Sequence, residues 1–295
     1  MKLVSDFDGV WTLPHDEARA QGAWMDRTLA EWAGERARGP ISRWLDDARA
    51  AIAAAPTRWG WMSGGRISAF ADEDPFTRHS ALLHYVHERT AGDPIATALA
   101  TAVAAHGATL DAFGGEAHAA GVAEVARTRG PGVLPDAAEA GRALLAAGVD
   151  VVVVSNSGTD KLAAWFAHAG VPTTVHPERA PGALRLRGGA RKFVLDPEHA
   201  ARLDLGDVSI EVARPNYEAA LRDERPDAVV GDVFSLDLAL PLVMRRHESA
   251  FAALRLFWLI RDYTPVWLEQ AVARRAPDVE RVEGGLGAVA ARLLG

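Results

Sequence analysis

The chain has no cysteine, which excludes disulfides and any metal site built on thiolates. Lysine is almost missing. Among the 32 basic residues only Lys2, Lys161 and Lys192 are lysines, and arginine supplies the rest. Chemistry that needs an ammonium group therefore has three candidates. No long basic run occurs and the formal net charge is -7, which argues against nucleic acid or an anionic membrane surface as a partner. No apolar run approaches the roughly 18 residues that a membrane-spanning helix needs. Asp6 and Asp8 interrupt the N-terminal apolar stretch too early for a signal peptide. The expected compartment is the cytoplasm.

What remains is the composition of an ordinary soluble globular protein, 49% hydrophobic and 24% charged. A length of 295 residues favours two domains over one. After Thr12 an alanine-rich region carries apolar residues at helical spacing over Ala18–Ala37 and Ile41–Ala55, with Gly39-Pro40 between them. Residues 56–75 read as an irregular loop, and helical patterns resume at about 76–91, 94–106 and 115–128. Gly130-Pro131-Gly132 marks a boundary.

Beyond it the pattern alternates. Pro135–Ala147 reads as a helix and Val149–Val154 as a buried strand. Leu162–Ala169 reads as a helix and Val171–Val175 as a strand. Leu184–Leu195 and Val208–Val212 alternate as a hairpin would. Tyr217–Arg222 is a short helix, and Ala228–Val230 and Leu256–Ile260 are strands. The expected architecture is α/β, with a Rossmann-like parallel sheet. Residues 1–13 and 131–295 would form this core, and residues 14–130 a helical domain inserted after the first strand.

In open parallel sheets, sites form at the carboxyl ends of strands. The first strand ends in Asp6-Phe7-Asp8-Gly9. Residues i and i+2 of an extended segment point to one side, so Asp6 and Asp8 can project together while Gly9 lets the chain turn away. The second strand ends in Ser155-Asn156-Ser157-Gly158, and the third in Gly231-Asp232 with Asp237 five residues on. Each segment alone has a plainer explanation: an aspartate-rich turn, a helix N-cap, a turn after a strand. All three in this order point to a site of carboxylates and small hydrogen-bonding groups.

These segments resemble the motifs of the haloacid dehalogenase superfamily of hydrolases. Asp6-Phe7-Asp8-Gly9-Val10 is similar to its first motif, Val151–Asn156 to the second, and Gly231-Asp232 with Asp237 to the fourth. The resemblance implies that Asp6 is a nucleophile forming an aspartyl-phosphate and that Asp8 is a general acid and base. It implies that Mg²⁺ is held by the Asp6 carboxylate, the Asp8 carbonyl and Asp232, with Asp237 as a ligand or a partner of one. Ser155 and Asn156 would bind the transferring phosphoryl group. The members that cleave carbon–halogen bonds typically lack the second aspartate, so Asp8 favours phosphate chemistry. The inserted domain would be a cap that sets specificity. The expected function is a Mg²⁺-dependent phosphatase acting on a small phosphorylated metabolite. The alternatives are a phosphomutase or phosphotransferase and a non-catalytic phosphate-ligand-binding protein. The oligomeric state stays open.

The third motif departs from the family, which places a lysine before a proline near the fourth motif. Here Arg214-Pro215 stands in that place. Lys2 lies at the wrong end of its strand, and Lys161 is expected on the surface of a helix. Lys192 has the right residue type and Arg214 the right position, so both remain candidates for phosphate binding. In the insert, Arg58, Trp59, Trp61 and Arg66 suggest either a substrate pocket or internal packing. His79, His84 and His87 suggest either ordinary hydrogen-bonded histidines or a zinc site.

Overall fold

The computed structural model describes residues 1–34 and 38–295. The end of the helix expected to run to Ala37 lies outside the described residues. The chain divides into two units, Met1–Leu13 with Pro131–Gly295, and Pro14–Gly130.

Strand β1 (Lys2–Ser5) opens the first unit. The second unit follows with helices α1 (His15–Trp32) and α2 (Arg38–Ala54), strands β2 (Gly60–Ser63) and β3 (Arg66–Phe70), and helices α3 (Pro75–Arg89), α4 (Pro94–Ala105) and α5 (Leu110–Thr128). Its core gathers Met25, Leu29, Leu45, Leu82, Val86, Leu99 and Phe113. Asp74 caps α3 by accepting from the Phe76 and Thr77 backbone N–H groups, and Asp93 caps α4 in the same way. Two expectations change. Residues 60–70, read as loop, form an antiparallel hairpin turned by Gly64-Gly65, both at positive φ, the conformation a tight hairpin turn needs. The unit is therefore helical with one small sheet. Helix α5 begins five residues earlier than its apolar pattern suggested, because Thr109 caps it through Ala112 N–H at 3.1 Å.

The first unit continues with α6 (Pro135–Ala146), β4 (Asp150–Val154), α7 (Thr159–His168), β5 (Thr173–Val175), β6 (Leu184–Arg187), β7 (Arg202–Asp204) and β8 (Ser209–Glu211). It closes with α8 (Pro215–Glu224), β9 (Ala228–Gly231), α9 (Ala239–His247), β10 (Arg255–Leu259), α10 (Val266–Arg275), β11 (Glu280–Val282) and α11 (Gly285–Leu294). Seven strands form one sheet in the order β11-β10-β9-β1-β4-β6-β5, and every pairing in it is parallel. This is a Rossmann-like α/β fold. The chain leaves β1 toward β4 on one side and returns to β9 on the other. β1 thus sits where the order reverses, the place such sheets offer to ligands.

One face of the sheet buries Leu3, Val151, Val153, Leu184, Leu186, Val230 and Phe257 against Leu144, Leu162, Phe166 and Leu286 of the covering helices. The expected hairpin of Leu184–Leu195 with Val208–Val212 is not what forms. β6 lies inside the parallel sheet between β4 and β5, and β8 pairs with β7. The misleading alternation has a physical cause. Arg185 is only 2% exposed and spends its charge on Asp150 and Glu224, with contacts of 2.6–3.0 Å. A buried, fully paired arginine looks in sequence like a solvent-facing one.

Candidate active site

The site is built from the ends of β1, β4 and β9. The Asp6 backbone N–H donates to Val230 O at 3.0 Å, so the ladder to β9 still holds where the carboxylates begin. Between the two aspartates Phe7 drops into the core, edge-on to Phe166 at 5.4 Å and to Trp165 at 5.9 Å. Asp6 and Asp8 keep 12% and 19% of their side chains exposed. Gly9 has φ +77°. A Cβ there would lie 2.1 Å from Asp232 Oδ2, so only glycine lets this turn meet the β9 loop.

Lys192 is 1% exposed and its Nζ lies 2.7 Å from Asp6 Oδ1 and 2.5 Å from Asp237 Oδ1. Burial pulls the ammonium toward losing its proton, but Asp237 and Asp6 outweigh that and hold its pKa well above the usual lysine value. The Lys192 backbone is gripped on both sides: its N–H donates to Asn156 Oδ1 at 2.7 Å, and its carbonyl accepts from Arg214 Nη1 at 2.7 Å. Arg214 is fully buried. The structure thus brings Lys192, from the segment after β6, onto Asp6, and sets Arg214 and Asn156 beneath it as supports of its backbone.

The carboxylates of Asp6, Asp232 and Asp237 offer oxygens that lie within 4.8 Å of one another. Asp237 rides on a single π-helical turn, Phe234–Leu238, a local widening of the helix often found at functional sites. Its Oδ2 accepts from Val233 N–H at 3.1 Å and its carbonyl from Tyr217 Oη at 2.9 Å. Asp232 Oδ2 accepts from Tyr263 Oη at 2.7 Å. Burial, then Asp237, pushes the Asp6 carboxyl up to about 7, and Lys192 only partly offsets them. The three clustered carboxylates, two of them against the Lys192 ammonium, form an all-oxygen donor set that fits a hard divalent cation such as Mg²⁺.

Asp8 takes a different environment. Its Oδ2 accepts from Ser157 Oγ at 2.7 Å, and its Oδ1 from Lys161 Nζ at 3.1 Å. Ser155, 1% exposed, accepts from the Ser157 N–H through Oγ at 3.0 Å, which leaves its own O–H to donate. The position of Lys161 corrects the expected surface lysine: its side chain is 10% exposed. α7 starts at Thr159 rather than near Leu162, so Lys161 falls in the first turn, four residues after Ser157. That spacing was the available signal.

Sequence reasoning also passed over a fourth strand end. After β10, Arg261 Nε donates to Gly9 O at 2.6 Å and braces the turn that follows Asp8, while Tyr263 reaches Asp232. The rule that singled out the other three segments applies equally to this one. In the inserted unit, Trp59 packs against His84 and Tyr85 with ring centroids 5.2 and 4.7 Å away. His79 Nε2 lies 2.7 Å from Ala18 O.

No family model matches the chain, and no curated protein does. Among solved structures the chain is similar to a 2-haloacid dehalogenase from Pseudomonas syringae pv. Tomato DC3000. The identity is 17% and the TM-score 0.36, over 94% of this chain and 100% of the other. A likeness at that level carries no information about the reaction.

Proposed function

We propose that this chain is a magnesium-dependent phosphohydrolase of the haloacid dehalogenase superfamily, acting on a small phosphate monoester. The observation that carries the reading is the difference in surroundings between Asp6 and Asp8, which are separated by one residue. Asp6 belongs to a cluster of carboxylates with a buried lysine. Asp8 belongs to a separate hydrogen-bonded group around Ser157. Neighbouring carboxylates in different environments suit different roles.

Phosphoryl transfer needs an in-line nucleophile, charge neutralisation and a proton for the leaving oxygen. In this reading an Asp6 oxygen attacks phosphorus as the ester P–O bond breaks, and Asp8 gives a proton to the departing alkoxide. Asp8 then takes a proton from the water that hydrolyses the aspartyl-phosphate. Inorganic phosphate leaves and both carboxyl groups return to their starting states. Lys192 favours the anionic form of Asp6. In this reading the Ser155 hydroxyl and the N–H groups at the start of α7 bind the phosphoryl oxygens, as strand-to-helix turns commonly bind anions. Asp6, Asp232 and Asp237 would hold the Mg²⁺ ion, which would supply positive charge to offset that of the transferring group.

A panel of small phosphate monoesters, assayed for phosphate release with and without Mg²⁺, tests the reading. Turnover of at least one ester that requires Mg²⁺ and is abolished by Asp6→Asn is the expected result. Magnesium binding with no turnover across the panel, or halide release from a 2-haloacid in its place, contradicts it.

A further inference from the structure

Lys161 has no part in the roles assigned above, yet two of the chain's three lysines lie in this site. Lys192 meets Asp6 and Lys161 meets Asp8. The Lys161 ammonium lies 3.1 Å from Asp8 Oδ1 and 3.3 Å from Ser157 Oγ. It also lies over two ring faces, 4.9 Å from the centroid of Trp165 and 5.6 Å from that of Phe7. Both rings are anchored in the core, Phe7 fully buried and Trp165 5% exposed. The lysine is thus held from below by aromatic faces that attract a cation, and from the side by the hydroxyl one helical turn before it.

The consequence falls on Asp8. A carboxylate bonded through one oxygen can still rotate about its last torsion. Asp8 is bonded through both, Oδ2 to Ser157 and Oδ1 to Lys161, which fixes the plane of the carboxylate. A group that must meet first a leaving oxygen and then a water gains from a fixed plane, because small misplacements of reacting groups are costly in rate. We propose that Lys161 is a positioning residue, which with Ser157 holds the Asp8 carboxylate in the orientation used for proton transfer. The role in catalysis rests on the phosphohydrolase reading; the contact itself does not.

The scarcity of lysine makes a direct test practical. In the full chain labelled with ¹⁵N-lysine, three side-chain ammonium signals are expected, and Lys161→Arg identifies its own by removal. In Asp8→Asn the Lys161 signal should shift and exchange faster with water while that of Lys2 stays in place. An unchanged Lys161 signal in Asp8→Asn overturns the proposal whatever the substrate is.

Kinetics then separate positioning from substrate contact. In Lys161→Met, kcat/KM for an alkyl phosphate should fall about 10- to 100-fold, and for an aryl phosphate with a good leaving group less than about 3-fold, because that leaving group needs little protonation. Lys161→Arg should recover most of the loss. On the Asp8→Asn background, Lys161→Met should add less than about 2-fold, since a residue acting through Asp8 has nothing left to position. Equal losses on both esters, or losses that multiply with Asp8→Asn, overturn the proposal and make Lys161 a contact of the phosphoryl group. If the wild type turns over no ester, the phosphohydrolase reading fails by itself and the ammonium signal alone decides the contact.

Discussion

At the residue scale the site is a problem of buried charge. Asp237 and Lys192 are each 1% exposed, and Asp6 is close behind at 12%. Removing one partner of a buried ion pair commonly costs about 3–5 kcal/mol, because the charge left behind stays buried without compensation. Lys192→Met should therefore lower stability by about that amount in the absence of divalent cations, as read from urea unfolding. The same variant with Mg²⁺ should recover part of the loss, because the ion supplies charge to the same carboxylates.

The raised Asp6 pKa gives a pH dependence with a definite sign. Burial and Asp237 push the carboxyl from 3.8 to about 7. The folded state then holds its proton more tightly than the unfolded chain does, so deprotonating Asp6 costs stability as pH rises from about 4 to about 7. In the proposed function Asp6 is a metal ligand, which must be deprotonated, so Mg²⁺ binding would expel that proton. Magnesium affinity should rise between about pH 5.5 and 7.5, with proton release visible as a buffer-dependent heat in titration calorimetry. Asp6→Asn should remove the Asp6 share of that heat.

At the element scale the informative piece is β6. Arg185 in its middle joins Asp150 at the start of β4 to Glu224 at the end of α8, and Lys2 of β1 binds Glu224 too. Burial would raise the Glu224 carboxyl, but Arg185 and Lys2 outweigh it and hold it down at about 2. A lowered carboxyl stabilises the fold above its ordinary value near 4.5, and that contribution is lost as pH falls toward 2. Glu224→Gln should destabilise the protein by about 3 kcal/mol at neutral pH. The gap between variant and wild type in urea midpoints should narrow as the pH is lowered through this range.

This element also shows where sequence reading stops. β1, β4, β9 and β10 were legible as short apolar runs, because strands buried on both faces are apolar at every position. β6 was not, because its pattern of leucine and arginine is that of a half-exposed strand and the carboxylates that pair with its Arg185, Asp150 and Glu224, are distant in the chain. The β2–β3 hairpin was readable from Gly64-Gly65 but hidden by the glycines and tryptophans around it. The early start of α7 hid the direction of Lys161.

At the scale of the whole molecule, the parallel sheet turns four remote stretches of chain into neighbours. Asp6, Ser155, Asp232 and Tyr263 come after β1, β4, β9 and β10, and these strands lie side by side in the order β10-β9-β1-β4. The first three segments could be found from sequence by inspecting only the residues just past each apolar run. Choosing between Lys192 and Arg214 could not be done that way. Both segments come after strands, and only the three-dimensional path shows that the Arg214 side chain reaches the backbone of the lysine, whose ammonium reaches Asp6.

In the proposed reaction Asp6 carries the phosphoryl group. An aspartyl-phosphate is an acyl phosphate, which borohydride reduces to the alcohol, converting the aspartate side chain to that of homoserine. Enzyme quenched during turnover of its best ester, reduced, digested and analysed by mass spectrometry should carry this change at Asp6, and Asp6→Asn should carry none. Sustained phosphate release with residue 6 unmodified under rapid quench, or the modification found at Asp8 or Asp232 instead, would contradict the account.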